Sequence, residues 1–197
     1  MTDATLRPWQ PEDAPDVLAA FDGDGMWSQG VERVTSVDDA VRWIEAHPWE
    51  PAGSRAALAI VVDGRAVGNV LLSSIDRRHG CAWVSYWVAE PFRGRGLASR
   101  AAATLATWAL TEGGLDRLEL GHRSNNPGSG RVAVAAGFVR EGVQRAKLRY
   151  GDERFDVDAY ARLATDPVPT APSLPMHVPP PGVGRAGAVS RGSNRDA

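Results

Sequence analysis

Two glycines and two arginines stand within four residues of the chain, and their types and spacing suit the binding of a phosphate. They occur in the run Arg93-Gly94-Arg95-Gly96-Leu97-Ala98. Glycines at alternating positions remove side chains that would hold an anion away from the backbone amides. The guanidinium groups add cationic donors that can contact two phosphate oxygens at once. The combination predicts a pyrophosphate site, with a basic turn at the start of an ordinary helix as the plain alternative.

The segments on either side of this run indicate how it is held. Val84–Val88 is dense in apolar and aromatic residues, as in a buried strand, and Pro91 ends it because proline has no N–H to donate. From Leu97 to Leu110 apolar residues recur at helical spacing. The first amides of that helix lack intrahelical partners, and the helix dipole adds partial positive charge there. A strand, a glycine-rich turn and a helix therefore place the run where a pyrophosphate binds.

Known phosphate motifs narrow the choice of ligand. A P-loop needs Gly-Lys-Ser/Thr, which the sequence lacks, and residues 94–99 misplace the third small residue of a dinucleotide fingerprint by one position. Residues 93–98 do fit Arg/Gln-x-x-Gly-x-Gly/Ala, which resembles the coenzyme A loop of the GNAT superfamily of N-acetyltransferases. The resemblance implies that this run binds acetyl-CoA as cosubstrate. It also implies that a backbone amide near Val88 contacts the coenzyme and stabilises the thioester oxygen during the reaction.

A second motif follows the next predicted strand. Asn126-Pro127-Gly128-Ser129-Gly130-Arg131-Val132-Ala133 precedes Gly137-Phe138-Val139-Arg140-Glu141-Gly142. This pattern resembles ribosomal-protein N-terminal acetyltransferases of the RimJ and RimL type, and the likeness covers most of residues 5–163. It implies that Ser129 protonates the leaving thiolate and that Asn126 holds the pantetheine arm. Both residue types also cap helices, which is the structural alternative for each.

The sequence does not single out one residue that would accept the proton of the attacking amine. Some relatives place a glutamate where this chain has Leu148. His122 ends a strand expected to run parallel to Val84–Val88, and imidazole suits proton transfer near neutral pH. Glu90 and Glu141 are weaker candidates, and a chain of water molecules is a further route.

The order of predicted elements is β-α-α-β-β-β-α-β-α-β-β, which gives a mixed α/β fold: one GNAT-like domain with a central splayed sheet flanked by helices. We assign residues 1–163 to the N-acetyltransferase domain. A loop carrying Trp27 either forms a wall of the acceptor site or packs on the core.

Residues 164–197 form a Pro/Gly-rich tail. From Thr165 onward it holds seven of the 14 prolines and no aromatic residue, so we predict disorder.

Composition limits the possible partners. The net charge of −2 and the pI near 6.1 give no general electrostatic reason to bind nucleic acid or an anionic membrane. No apolar run reaches the length of about 18 residues typical of a membrane span, and the first residues lack the features of a signal peptide. The single cysteine, Cys81, excludes an intramolecular disulfide and multi-cysteine zinc sites. We therefore expect a cytoplasmic protein without a metal, either a monomer or a homodimer.

Together the two motifs predict an acetyl-CoA-dependent N-acetyltransferase in which an amine attacks the thioester directly in a ternary complex. The resemblance favours a protein or peptide N-terminus as acceptor. A small-molecule amine is the alternative among enzymes. The alternative that is not an enzyme is a module that binds acyl-CoA without turnover or docks a partner through its tryptophan-containing loops.

Overall fold

An eight-stranded mixed β-sheet with helices on both faces accounts for most of residues 4–22 and 34–179, the part of the chain that the computed structural model describes. The strands are β1 Ala4–Arg7, β2 Trp49–Glu50, β3 Arg55–Val62, β4 Arg65–Asp76, β5 Cys81–Val88, β6 Arg117–Arg123, β7 Val139–Tyr150 and β8 Glu153–Leu163. The helices are α1 Ala14–Phe21, α2 Val37–Glu45, α3 Leu97–Thr111 and α4 Pro127–Ala135, with 3-10 turns at Pro11–Asp13 and Glu90–Phe92. The Trp27 loop lies outside the described residues.

The sheet confirms the predicted mixed topology. Its order is β1-β3-β4-β5-β6-β8-β7, with the two-residue β2, which the sequence did not predict, added to β3. β5 and β6 are the parallel pair, and α3 crosses between them as the strand-helix-strand pattern requires. None of the described helices is long and apolar enough to cross a membrane.

The two faces of the sheet carry separate apolar clusters, which explains the continuous apolar run in β3. Ala56, Leu58, Ile60 and Val62 pack into the cluster that contains α3, whereas the three residues between them pack into the cluster that contains α1 and α2. Successive side chains of a strand point to opposite faces, so a strand covered on both sides is apolar throughout.

β5 and β6 pair only at their beginnings and then separate. Cys81–Trp83 pair with Arg117–Glu119, after which β5 continues along β4 and β6 continues along β8. The Trp83 ring lies across Gly121, where a Cβ atom would come within 3.0 Å of it. The carboxyl ends of the two strands therefore border a gap, and the helices that follow them, α3 and α4, begin beside it.

Residues 164–179 correct the prediction that the whole tail is disordered. Leu6 on the free edge of β1 donates its N–H to the Pro175 carbonyl and accepts from His177 N–H, both at 2.8 Å. The Leu174 amide donates to Thr104 Oγ1 of α3 at 2.8 Å, and its side chain is 3% exposed. Ala171 N–H donates to the last turn of α4. We call residues 171–178 the strap, because they cross both helices and reach the sheet edge.

Removing the strap should destabilise the protein. A chain ending at Thr165 loses the burial of Leu174, worth about 2–5 kcal/mol by analogy with core leucine deletions, and leaves the edge of β1 unpaired. We expect a fall in melting temperature of at least about 5 °C relative to a chain ending at Pro179. Equal melting temperatures for the two truncations would mean that the strap contributes nothing to stability.

Candidate active site

The glycine-rich turn leaves open space directly in front of α3. Gly94 and Gly96 have φ of +76° and +73°, in the left-handed region that glycine adopts without strain. A Cβ atom at either position would meet no atom within 4 Å. Gly96 is the N-cap of α3, and no side chain caps the helix. The first amides of α3 therefore face this space with no intrahelical partner, as the sequence predicted for an anion site.

A cavity of about 410 Å3 extends from this turn to the end of β5 and the start of α4. We call it the larger cavity. Its described lining residues come from three consecutive stretches of chain: Tyr86, Trp87, Val88; Phe92, Arg93, Gly94, Gly96, Leu97, Ala98, Ser99; and Asn126, Gly128, Ser129, Arg131, Val132. Five of the six residues 93–98 and five of the eight residues 126–133 thus line one space.

The arginines are arranged differently from the prediction. Arg93 lines the larger cavity while its Nε donates to the Val88 carbonyl at 2.9 Å, which leaves its terminal nitrogens free of described partners. The Arg95 side chain is not among the lining groups, because its guanidinium stacks over the Phe92 ring at 5.1 Å from the centroid. Arg131, on α4, lines the cavity instead and has no described ion-pair partner. The sequence signal for Arg131 was its place two residues after Ser129 at a helix start.

We therefore expect Arg131→Gln to weaken coenzyme A binding about tenfold or more, because one charge-assisted hydrogen bond is worth about 1.5–3 kcal/mol. Arg95→Gln should change the affinity less than about threefold. Calorimetric titration of both folded variants with coenzyme A tests the difference. A larger loss for Arg95→Gln would contradict the observed side-chain directions.

A second cavity of about 180 Å3, the smaller cavity, lies between the separated strands. Its described lining residues are Val84, Ser85, Tyr86, Leu120, Gly121, His122, Arg123, Asn126, Ser129, Leu148 and Tyr150. Three of these, Tyr86, Asn126 and Ser129, also line the larger cavity. The two spaces are therefore neighbours across these three side chains.

The backbone of β5 presents an amide to the gap. Ala89 N–H donates to the Val67 carbonyl on the β4 side at 2.8 Å. Since successive amides of a strand point to opposite sides, the Val88 amide points toward β6, where β5 has no strand pairing beyond Trp83 in the described sheet. Val88 also lines the larger cavity.

Asn126 and Ser129 have different local roles. Asn126 Oδ1 accepts the Ser129 N–H at 3.2 Å and so caps α4. The Ser129 carbonyl accepts the Tyr86 hydroxyl at 3.2 Å. The capping function therefore belongs to Asn126. The Ser129 hydroxyl has no hydrogen-bond partner among the described residues, and Ser129 borders both cavities.

Tyr86 is a site residue that sequence reasoning named only as part of a strand. Burial raises the pKa of its hydroxyl to about 12, so this hydroxyl stays protonated near neutral pH. The alternation of β5 was the available signal, because it places Tyr86 on the same face as Val84 and Val88, beside α3 and α4.

His122 belongs to the lining of the smaller cavity, and its Nε2 packs against Gly130 of α4, where an added Cβ atom would lie 3.2 Å from it. Nδ1 donates to the Arg123 carbonyl at 2.9 Å, so the lone pair of the neutral form of the ring is on Nε2. Nε2 is buried and has no hydrogen-bond partner within the described part of the chain. Leu148 lies in the same lining and makes this part of the wall apolar.

The carboxylates suggested by the sequence lie elsewhere. Glu141 accepts two hydrogen bonds from Arg117, at 2.9 and 2.6 Å, and these hold the pKa of Glu141 below its usual range. Glu90 is exposed in the turn after β5. No described Asp or Glu lines either cavity. The described residues also contain no grouping of three or more His, Cys, Asp or Glu suited to a metal ion.

Comparison with known proteins finds similarity to acetyltransferases. The ribosomal-protein-serine acetyltransferase of Escherichia coli is 30% identical over 53% of this chain and 58% of its own length. The chain thus spans little more than half the length of that curated relative. A RimL ribosomal L7/L12 alpha-N-protein acetyltransferase in complex with coenzyme A superimposes with a TM-score of 0.74, at 23% identity over 83% of this chain and 95% of the other.

A Mycobacterium smegmatis RimJ structure in complex with a CoA-disulfide superimposes with a TM-score of 0.72, at 24% identity over 82% of each chain. At these identities the two structural matches show a shared fold. The sequence model of the acetyltransferase (GNAT) domain matches residues 3–139, which is more than half of the chain and includes the glycine-rich turn, β6 and α4. The chain therefore belongs to the GNAT acetyltransferase family.

Proposed function

We propose that the chain transfers the acetyl group of acetyl-CoA to a primary amine, by direct attack in a ternary complex. The observation that carries this proposal is the pair of cavities that share Tyr86, Asn126 and Ser129 between two separated strands. One cavity begins at a turn suited to a pyrophosphate, and the other offers a separate space for the acceptor. Two substrates that enter from different sides can meet at the shared residues without a covalent intermediate on the enzyme.

The larger cavity fits the coenzyme. The amides of residues 94–98, together with Arg93 and Arg131, supply donors for the pyrophosphate. Asn126 Oδ1 is engaged in the helix cap, so its Nδ2 is the group free to donate to a carbonyl of the pantetheine arm. Trp87 and Val132 add apolar lining between these polar positions.

Two groups at the junction suit acyl transfer. The Val88 amide faces the gap, and a preorganised donor to the oxygen that gains charge is worth about 3–4 kcal/mol of the barrier. The Ser129 hydroxyl can give its proton to the sulfur as the carbon–sulfur bond breaks, so that coenzyme A leaves as the thiol, and solvent water returns a proton to the serine oxygen.

His122 is the proposed acceptor of the proton from the attacking amine. It is supported by the position of His122 in the lining of the smaller cavity, by an Nε2 that has no hydrogen-bond partner among the described residues, and by the absence of any described carboxylate in that lining. A water molecule between the amine and Nε2 would complete the same transfer.

A protein or peptide N-terminus is the proposed acceptor class, in line with the names of the relatives. We place the enzymatic unit in residues 1–163, with the strap as a packed extension, and we expect it to act in the cytoplasm as a monomer or homodimer.

Release of free thiol from acetyl-CoA tests the function. The full chain is mixed with acetyl-CoA and a panel of amines: short peptides that differ at residue one, a polyamine and simple primary amines. We expect amine-dependent thiol release that is fastest with peptides. Faster thiol release with small amines would mean that the acceptor is a small-molecule amine. Tight acetyl-CoA binding without thiol release in the presence of any amine would identify a binding module instead.

A further inference from the structure

Arg123 forms one wall of the smaller cavity and is held in place by two aromatic rings. Its guanidinium carbon lies 5.0 Å from the Tyr150 ring centroid and 5.2 Å from that of Phe155. The two rings are themselves in edge-to-face contact, with centroids 5.7 Å apart. A cation stacked on aromatic rings at these distances is attracted by their electron-rich faces. The guanidinium is thus preoriented by the β7–β8 hairpin.

Stacking leaves the N–H groups at the edge of the guanidinium plane free. No hydrogen bond or salt bridge joins the Arg123 side chain to any other described residue. Two arginines of the β7–β8 hairpin have carboxylate partners: Arg140 binds Asp158 at 2.5 Å and Arg149 binds Asp152 at 3.0 Å. Arg123 is therefore a fixed cation whose donors are unused, and it borders the space that the acceptor must occupy.

The charges around the smaller cavity indicate what such an acceptor carries. Arg123 is the one permanently charged side chain among its described lining residues, and no described carboxylate faces it. A polyamine or a lysine-rich peptide would meet an uncompensated positive charge there. An acceptor with an acidic group would gain charge-assisted hydrogen bonds from the free guanidinium edge.

We infer that the acceptor is an amine with an acidic group close to it, such as a peptide with an acidic residue next to its N-terminus, and that Arg123 binds this group. The inference rests on the proposed function, because it assigns the smaller cavity to the acceptor. The cavity volume of about 180 Å3 keeps amine and acid close together. Arg123 is then a residue that determines specificity and does not take part in the proton transfers.

The test uses peptides that differ only at the second residue, which is aspartate, asparagine or lysine. Thiol release by the full chain should give kcat/KM for the aspartate peptide at least about tenfold above that for the lysine peptide. Arg123→Gln should bring the three values close together, and Arg123→Glu should reverse their order. Arg145→Gln is the matched control, since Arg145 is exposed on the β7–β8 hairpin against which Arg123 packs and lines neither cavity.

The outcomes distinguish a failure of this inference from a failure of the proposed function on which it rests. Turnover of all three peptides at equal rates overturns the role of Arg123 and leaves the acetyltransferase function intact. If no peptide is acetylated, the proposed acceptor class fails. Calorimetric titration of the same peptides in the presence of coenzyme A then still decides the inference, because equal affinities for the aspartate and lysine peptides contradict it. Melting temperatures of the Arg123 variants identify any loss that comes from unstacking the two rings.

Discussion

Replacing Gly96 with aspartate is expected to weaken coenzyme A binding at least about 100-fold while the protein stays folded. The Cβ atom and carboxylate would enter the open space in front of α3, where no described atom lies within 4 Å of the Cβ position. There they would repel a phosphate and block its access to the helix amides. The loss of two charge-assisted hydrogen bonds, at about 1.5–3 kcal/mol each, corresponds to this factor or more. Calorimetry with coenzyme A measures it.

Gly64→Asp is the matched control for this substitution. Gly64 also has a left-handed φ, +80°, and a Cβ atom there would likewise meet nothing within 4 Å, but it lies in the β3–β4 turn away from both cavities. Both variants therefore carry a similar backbone cost. Gly64→Asp should bind coenzyme A normally. If the folded Gly96→Asp variant binds coenzyme A with unchanged affinity, the glycine-rich turn is not part of the binding site.

The backbone of the site could be predicted from the sequence because local patterns determine it. The strand up to Val88, the left-handed glycine at position 96 and the start of α3 follow from apolar density, from glycine conformational freedom and from helical periodicity. The parallel pairing of β5 and β6 follows from their connection through a helix. The placement of Ser129 beside this turn then follows from the order of the elements.

The directions of long side chains could not be predicted in the same way. Arg95 and Arg131 have the same charge and both stand near a helix start, yet only Arg131 lines the larger cavity. The Arg95 guanidinium turns back over Phe92, a tertiary contact that the residue order does not specify. Local sequence cannot distinguish a cation that faces a ligand from one that stacks on a neighbouring ring.

The sequence did not predict the strap because the composition of this segment does not reveal the surfaces against which it packs. A proline-rich segment without aromatic residues buries little surface by itself, which favours disorder. The edge of β1 and the side chain of Thr104 on α3 nonetheless form hydrogen bonds with the strap, and the core cluster that contains α3 buries Leu174 and packs against Ala171, Met176 and Val178. These acceptor surfaces are made by residues more than 60 positions earlier in the chain, so the segment itself carries no sign of them.

Ser129→Ala should lower turnover about 10²–10⁴-fold with little change in acetyl-CoA affinity. If the hydroxyl donates its proton to the sulfur, it acts mainly while the carbon–sulfur bond breaks, so its loss affects the reaction step and not coenzyme binding. The helix cap is Asn126, and the Ser129 hydroxyl makes no hydrogen bond to a described residue. The melting temperature should therefore stay within the range of an ordinary surface substitution. Steady-state turnover, calorimetry and thermal melting are measured on the same variant.

Two further variants serve as controls for the interpretation of Ser129→Ala. Asn126→Ala removes the cap and should cost about 1 kcal/mol of stability, together with some coenzyme affinity, so it shows what a capping loss looks like in this helix. Tyr86→Phe removes the other hydroxyl at the junction, which donates to the Ser129 carbonyl. If Ser129→Ala stays fully active while Tyr86→Phe loses turnover, the sulfur receives its proton from Tyr86 on β5 and not from Ser129 on α4. If both variants stay active, water protonates the thiolate, and the junction contributes only the Val88 amide and the positioning of the two substrates.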